Sequence, residues 1–408
     1  MQRGKRIEMP DVTGASRPGG GAGDPEFATG WLNRIVDLAG PLEEAPAGAP
    51  DDASTYFVLH KPGGFIWVPA DAERWLPHIR AFGLIAGDPA QAVRRMRDEA
   101  RRPHGERQAM RVRLPAGATI RFNGRTFEDT ALLARTASLK VVGAVIDRES
   151  GAGRAVLKGA GLPRIARNLG HEYAALQGVA GRGIAPRPFG AGGTFANGEG
   201  PVTTAQSWCA GRLVAGRPVA DLAFLRAVEA TLLRLVEPEA EVTLRGLAEE
   251  RAAEIAAYPR LEHAEKQALL RLLTRVRDRT PVAASRLHGD MRPLNMLHVP
   301  GGTTLRLLDW EFSRTRSLGL LDFLRFALDR HYAAGTAASL EALIDAPARR
   351  LVDFMRASQL PGAQLPFGEL LPLHFVIHYA DRIGSFGRTS PRMMTLQRIL
   401  AGEMRAAA

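Results

Sequence analysis

One stretch in the second half of this chain breaks a pattern that otherwise reads as helix. Residues 286–312 run RLHGDMRPLNMLHVPGGTTLRLLDWEF. Two short apolar runs, MLHV (296–299) and TTLRLLDWEF (303–312), flank Pro300, Gly301 and Gly302. Two β-type runs around a Pro-Gly-Gly turn predict a hairpin. With the turn near Gly301, Asn295 pairs near Leu307 or Leu308. Asn295 then opens the first strand and Asp309 closes the second, both at the hairpin's open end.

The polar residues at that end need explaining. Asp, Gly, Pro and Asn are ordinary turn residues, and a loop could simply collect them. However, side chains alternate along a strand, which puts Asp309 on the face of Leu305 and Leu307. A carboxylate ending an apolar face is costly to bury without a partner. A cation is such a partner, and Asn and Asp oxygens are hard ligands suited to Mg²⁺. Asp290, five residues before Asn295, falls on the loop above. One amide and two carboxylates suit phosphoryl transfer from a Mg²⁺-nucleotide: one group meets the acceptor hydroxyl and two hold metal on the phosphates.

The rest of the chain gives that hairpin a setting. Residues 1–30 are rich in Gly, Pro and charge and read as a disordered tail. WLNRIVDLAG (31–40) is a short amphipathic helix candidate, and PLEEAPAGAPDDAS (41–54) reads as a linker. YFVLHKPGGFIWVP (56–69) predicts two strands around a second Pro-Gly-Gly turn. Arg94, Arg95, Arg97, Arg101 and Arg102 then cluster. A solvated helix face is the plain reading of such a run, and a phosphate patch the alternative. From about 115 strands dominate: ATIRFNGRTF with its Asn-Gly hairpin signal, then ALLARTA, LKVVGAVID and GRAVLKGA. PRIARNLGHEYAALQGVAG follows as a helix, and PVTTAQSWCAGRLV (201–214) as a strand running into a linker. After 220 nearly everything is helical except the hairpin at 296–311. The order argues for a two-lobed α+β protein. The division expected is 1–53 tail and linker, 54–115 an N-terminal extension module, 116–206 a small β-rich lobe and 207–408 a larger helical lobe.

Bulk numbers exclude some classes. The chain has 408 residues, 45% hydrophobic and 24% charged, enough for two or three domains. It has no apolar run long enough for a membrane span and no secretory h-region. Its single cysteine, Cys209, cannot form an intramolecular disulfide, which fits a reducing, cytoplasmic setting. The formal charge of +11 favours anionic partners. No RNA or DNA motif accompanies it.

The sequence HGDMRPLNML followed by LLDWE resembles the catalytic loop and metal-binding segment of the aminoglycoside phosphotransferase and choline kinase group. Those enzymes share the protein-kinase-like fold. The resemblance covers about 130 to 390 and implies ATP and Mg²⁺ as cofactors, with a small-molecule hydroxyl as acceptor. It further implies a strand lysine paired with a helix glutamate, and Lys158 and Glu172 stand at those places. Glu172 shares an apolar stripe with Ile165, Leu169 and Leu176, so it points inward and needs a positive partner. By the same resemblance Asp290 is catalytic, and Asn295 and Asp309 bind metal. Ser207, Trp208 and Cys209 lie in the segment whose backbone holds adenine, IAPRPFG (184–190) matches a Pro-containing turn, and Asp322 is a structural aspartate bonded to the catalytic loop. His288 reads as a buried loop anchor. No glycine-rich loop is present, which leaves Arg135 to Ser138 as the candidate phosphate cradle. Two other classes stay open: a nucleotide-binding regulator without turnover, and an anion or nucleic-acid binding protein. Neither the acceptor nor the oligomeric state is legible.

Overall fold

The computed structural model describes residues 43–45, 54–61, 64–81, 88–100, 109–114, 120–122, 125–137, 140–160, 162–194, 201–214, 221–299, 301–335, 337–386 and 390–406. The helix expected over 31–40, Arg101 and Arg102 lie outside them. The chain divides into two compact units. One holds the residues up to Ala180 with Pro186–Ala210, and the other Gly181–Ala185 with Gly211 onward.

The first unit is built on one sheet. Its elements are β1 (Glu43–Glu44), β2 (Thr55–Lys61), β3 (Gly64–Pro69), α1 (Leu76–Ala81), α2 (Pro89–Ala100), β4 (Ala109–Arg113), β5 (Ile120–Phe122), β6 (Arg125–Phe127), β7 (Thr130–Ala137), β8 (Lys140–Asp147), β9 (Gly153–Ala160), α3 (Pro163–Gly178), β10 (Pro188–Thr194) and β11 (Pro201–Ser207). Nine strands join in the order β1-β4-β2-β3-β7-β8-β9-β11-β10, and β5 and β6 form a separate hairpin. The expected hairpins at 56–69 and 120–127 are present, with Tyr56 opposite Pro69 and Ile120 opposite Phe127.

The division expected at 115 runs through this sheet. β3 pairs with β7, Ile66 opposite Arg135 and Trp67 opposite Ala134. Glu43 and Glu44, inside the segment read as a linker, pair with Arg113 and Val112. Strand alternation then sorts the apolar residues into two cores, one per face. One gathers Tyr56, Trp67, Leu132, Val145 and Leu157. The other gathers Phe57, Val68, Leu133 and Ile146 with Trp75, Ile79, Val93 and Met96 from the helices of the extension. Each core draws on both sides of residue 115. A β7 left at the edge would present an unpaired ladder, and β3 covers it. A chain beginning at residue 116 is therefore expected to aggregate or to lose cooperative denaturant unfolding in this unit. A soluble product with a sharp transition would show instead that 54–115 packs as an independent module.

Of the arginine run, Arg94 and Arg95 lie exposed on α2, and Arg97 pairs with Glu73 at 3.3 Å. That is the solvated helix face.

The second unit contains β12 (Arg212–Leu213), α4 (Leu222–Leu233), β13 (Val236–Val242), α5 (Leu244–Ala257), α6 (His263–Thr274), β14 (Val282–Leu287), β15 (Met296–His298), β16 (Leu305–Leu307), β17 (Arg314–Ser317), α7 (Gly319–Ala334), α8 (Ala346–Arg356), α9 (Phe367–Phe386) and α10 (Pro391–Ala406). The α+β class expected from sequence is what the two units show. The expectation of a single hairpin among helices is corrected. This unit has two three-stranded sheets, β12-β15-β16 and β13-β14-β17, among its described residues. β14 matters because it ends at Leu287, directly before His288, Gly289 and Asp290. No helix among the described residues is long and apolar enough to cross a membrane.

Candidate active site

The hairpin has the predicted register. Met296 lies opposite Leu307, and the Leu308 N–H donates to the Asn295 carbonyl at 2.8 Å. Leu305 and Leu307 are buried and Arg306 is half-buried, so alternation holds through the strand. It stops before Asp309, whose φ is +66°. The regular strand ends at Leu307, so strand alternation does not extend to Asp309. Aspartate tolerates this conformation better than most residues, and strain of this kind gathers at functional sites.

The loop from β14 is held from behind. Gly289 has φ +82°, and a Cβ there would lie 2.4 Å from the Phe312 carbonyl oxygen. Only glycine fits both constraints. The Asp322 carboxylate, in the first turn of α7, accepts the N–H groups of His288 at 2.6 Å and Gly289 at 2.8 Å. Burial pushes its pKa up to about 7, against those two N–H groups, which favour the ionised form. His288 is fully buried. Its Nε2 lies 2.9 Å from the Leu308 carbonyl oxygen, which makes it the donor. Its Nδ1 accepts the Asp290 N–H at 3.2 Å. His288 thus ties the loop to the hairpin end, as a neutral anchor.

Asp290 is 1% exposed. Asn295 Nδ2 donates to its Oδ2 and to its carbonyl oxygen, both at 3.0 Å. Arg292 Nε stands 3.1 Å from Oδ2 and Arg325 Nη2 3.2 Å from Oδ1. Arg382 pairs with Oδ1 as well. Burial alone would raise the Asp290 pKa, but Arg382, Arg325 and Arg292 together bring it below the usual carboxylate value, opposed by the nearby Asp309. The loop therefore brings Asp290 and Asn295 into contact and places Asp309 close enough to bias Asp290.

Arg325 and Arg382 were not singled out from sequence. They sit on two buried helical stripes. On α7, Asp322, Arg325, Asp329 and Tyr332 recur every three or four residues. On α9, His374, His378 and Arg382 recur every four. The His378 and Tyr332 rings are 4.7 Å apart. Polar residues at helical spacing inside apolar runs were the available signal. Burial lowers the His374 pKa to about 3, and burial with Arg325 and Arg382 lowers that of His378 well below the usual imidazole value, so both rings are neutral.

In the first unit, Lys158 of β9 and Glu172 of α3 form the expected ion pair. Their side chains are 8% and 2% exposed, so the pair is buried. The helix buries Ile165, Leu169, Glu172 and Leu176 on one face. Ser207 closes β11, Trp208 and Cys209 follow it, and all three are half-buried. The Ser207 N–H donates to the Arg187 carbonyl at 2.8 Å and the Trp208 N–H to the Arg154 carbonyl at 3.3 Å. Those two donors are thereby engaged within the unit, which narrows what this segment can offer a base. The Trp208 ring lies against Gly153, where a Cβ would stand 2.1 Å away. Arg135 pairs opposite Ile66 inside the sheet, and Ser138 lies outside the described residues. Ile184 belongs to the second unit, its carbonyl accepting the Leu307 N–H at 2.7 Å, and Pro188 begins β10.

The family model described as "Phosphotransferase enzyme family" matches residues 143–357, just over half of the chain. Among solved structures, a Plasmodium vivax ethanolamine kinase is 11% identical with TM-score 0.43, covering 68% of this chain and 82% of its own. The GDP and kanamycin complex of APH(2")-IIIa is 13% identical with TM-score 0.41, covering 70% and 96%. The macrolide 2'-phosphotransferase MphH from Brachybacterium faecium is 14% identical with TM-score 0.39, covering 64% and 88%. No curated protein matches.

Proposed function

This chain belongs to the phosphotransferase enzyme family, and from that premise we propose that it transfers the γ-phosphoryl group of ATP to a hydroxyl of a small molecule, with Mg²⁺. The observation that supports this most is the contact of Asp290 with Asn295 on a loop held by Asp322 and His288 at the open end of the hairpin. The acceptor oxygen bonds to the γ-phosphorus as the bond to the β–γ bridging oxygen breaks. ADP leaves, and the hydroxyl proton passes to the Asp290 carboxylate. Lys158, positioned by Glu172, serves the nucleotide phosphates, and the segment Ser207, Trp208 and Cys209 serves adenine. A reducing, cytoplasmic setting is the location that suits this chemistry and the single cysteine.

Asn295 and Asp309 would hold the metal, which when bound neutralises charge on the phosphates. The donor set fits, because Mg²⁺ takes one or two carboxylates plus phosphates rather than a full protein cage. Asp309→Ala is expected to weaken Mg²⁺-ATP binding by about tenfold or more, read by calorimetry with and without Mg²⁺. Unchanged affinity would remove the metal from the hairpin.

One observation favours a second reading, a nucleotide-binding regulator without turnover. Each Asp290 oxygen already meets two nitrogen atoms, Oδ1 those of Arg325 and Arg382, Oδ2 those of Asn295 and Arg292. A carboxylate accepts at about four sites, so an acceptor hydroxyl reaches Asp290 only after one of these groups moves. Tight Mg²⁺-ATP binding with no ATP consumption across sugars, amino alcohols, hydroxy acids and aminoglycosides would favour the regulator.

A further inference from the structure

The family match begins at residue 143, so β2, β3, α1 and α2 of the first unit lie outside it. Part of this extension nevertheless reaches the segment Ser207 to Cys209. The 3₁₀ turn Ala72–Trp75 and α1 after it meet the turn that joins β8 to β9. Trp75 is fully buried, and its Nε1 donates to Asp71 Oδ1 at 2.9 Å. Arg148, in the β8–β9 turn, stands 3.7 Å from Asp71 Oδ2 and donates to the Tyr56 hydroxyl at 3.2 Å. Arg74 donates back to the carbonyls of Arg148 and Glu149. The extension thus grips this turn through Tyr56, Asp71 and Arg74.

Trp208 lies at the same place. Its indole covers Gly153, the first residue of β9, where a Cβ would stand 2.1 Å from Cδ2 and 2.3 Å from Cγ. Only a residue without Cβ leaves the ring that room. His78 of α1 meets the indole edge to face, with ring centroids 6.3 Å apart at 74°, and Trp75 lies 6.1 Å from the same imidazole. Both values suit a paired aromatic contact. Burial lowers the His78 pKa, against a bond with the Gly151 backbone, so the imidazole meets the indole as a neutral ring. Trp208 also packs on the core that holds Trp75, Ile79 and Ile146. Its ring is therefore held by the sheet and by the extension together.

We propose that α1 positions the base-binding segment: His78, beside Trp75, holds the Trp208 indole on Gly153 and so sets the backbone of Ser207 to Cys209 for a purine base. The inference rests on the reading of this segment as the adenine site and gives the extension a task in it. Trp208 stands between Ser207 and Cys209, so fixing its ring restrains the peptide groups on both sides. A segment ordered in advance loses less freedom when a ligand binds. His78 and Trp208 act here as positioning residues. The effect belongs to the base and not to the phosphates, which Lys158 serves.

The test compares Mg²⁺-ATP with Mg²⁺-tripolyphosphate, which keeps three phosphates and lacks the nucleoside, titrated calorimetrically into the full chain. His78→Ala is expected to weaken ATP binding by about two- to tenfold, the worth of one aromatic pair, and to leave tripolyphosphate binding unchanged. His78→Phe keeps a ring at the indole and should restore most of the ATP affinity. If His78→Ala fails to fold, His78→Gln serves, since it loses the ring and keeps a donor for the Gly151 backbone. Equal losses for ATP and tripolyphosphate would make the contact one of general stability and overturn the proposal. A loss that His78→Phe does not recover would overturn it too. A wild-type preference for ATP that survives every variant defeats this inference alone. Wild-type protein that binds ATP no more tightly than tripolyphosphate removes the base site and the inference with it. Binding of neither defeats the phosphotransferase reading as well.

Discussion

Asp290→Asn is expected to lower turnover by roughly 10²- to 10⁴-fold, the range for losing a positioned general base, while Mg²⁺-ATP affinity stays near wild type. The substitution also removes the counter-charge of Arg325 and Arg382, both buried. Breaking a buried pair from one side costs about 3–5 kcal/mol, so denaturant unfolding should shift as well. The two effects are separable: turnover is compared under conditions where both proteins are fully folded, and calorimetry reports nucleotide affinity. Turnover within a few-fold of wild type would remove Asp290 from the chemistry. The three arginines bring the Asp290 pKa below its ordinary value. A carboxylate so shifted binds fewer protons folded than unfolded. Its contribution to stability is present above the unfolded value of about 3.9 and is lost as pH falls through the folded one. The rate should accordingly show no Asp290 ionisation at neutral pH, falling only in acid.

Asp322→Asn is expected to destabilise the second unit in a pH-dependent way. The Asp322 carboxylate accepts two backbone N–H groups, and an asparagine oxygen can replace only one oxygen. A buried N–H left without an acceptor costs about 1–3 kcal/mol. The sign of the pH effect is opposite to that of Asp290. Burial raises the Asp322 pKa to about 7 from 3.8. Its folded form therefore holds a proton that the unfolded chain releases. That stability is full below the unfolded value and lost as pH rises through about 7. At about 1.4 kcal/mol per unit, the penalty of Asp322→Asn should be larger at pH 5 than at pH 8 by about 2–3 kcal/mol. Urea unfolding at both values checks this. An equal penalty at both would mean that Asp322 stays ionised in the fold. The loop from His288 to Asp290 would loosen in either case, since Gly289 and His288 lose an anchor.

Local sequence determined the parts of this protein that depend on neighbours in the chain. The hairpin from Asn295 to Asp309 was legible because a turn and two alternating runs lie within fifteen residues. The inward Glu172 was legible because helical spacing ties it to Ile165, Leu169 and Leu176, and a buried carboxylate demands a cation, which Lys158 supplies. Family membership followed from such local motifs.

Tertiary structure decided the rest. β13, reading VEPEAEV, has too many acidic residues to signal a strand. It is one because β14 offers it a ladder, Val236 opposite Ser285. The sheet crossing residue 115 depends on Trp67 meeting Ala134, a pairing across 67 positions that no local pattern encodes. Asp309 lies beyond the strand that ends at Leu307, and its φ of +66° is one that local sterics disfavour, so its surroundings in the fold rather than periodicity hold it there. The arginines around Asp290 come from two helices and one loop, Arg325 and Arg382 lying 35 and 92 residues away. Each reads singly as a surface cation, and only the packing of α7 against α9 buries Arg325 and Arg382 on one carboxylate. Charge is additive along a sequence, but its electrostatic effect depends on distance and burial, and both are set by the fold.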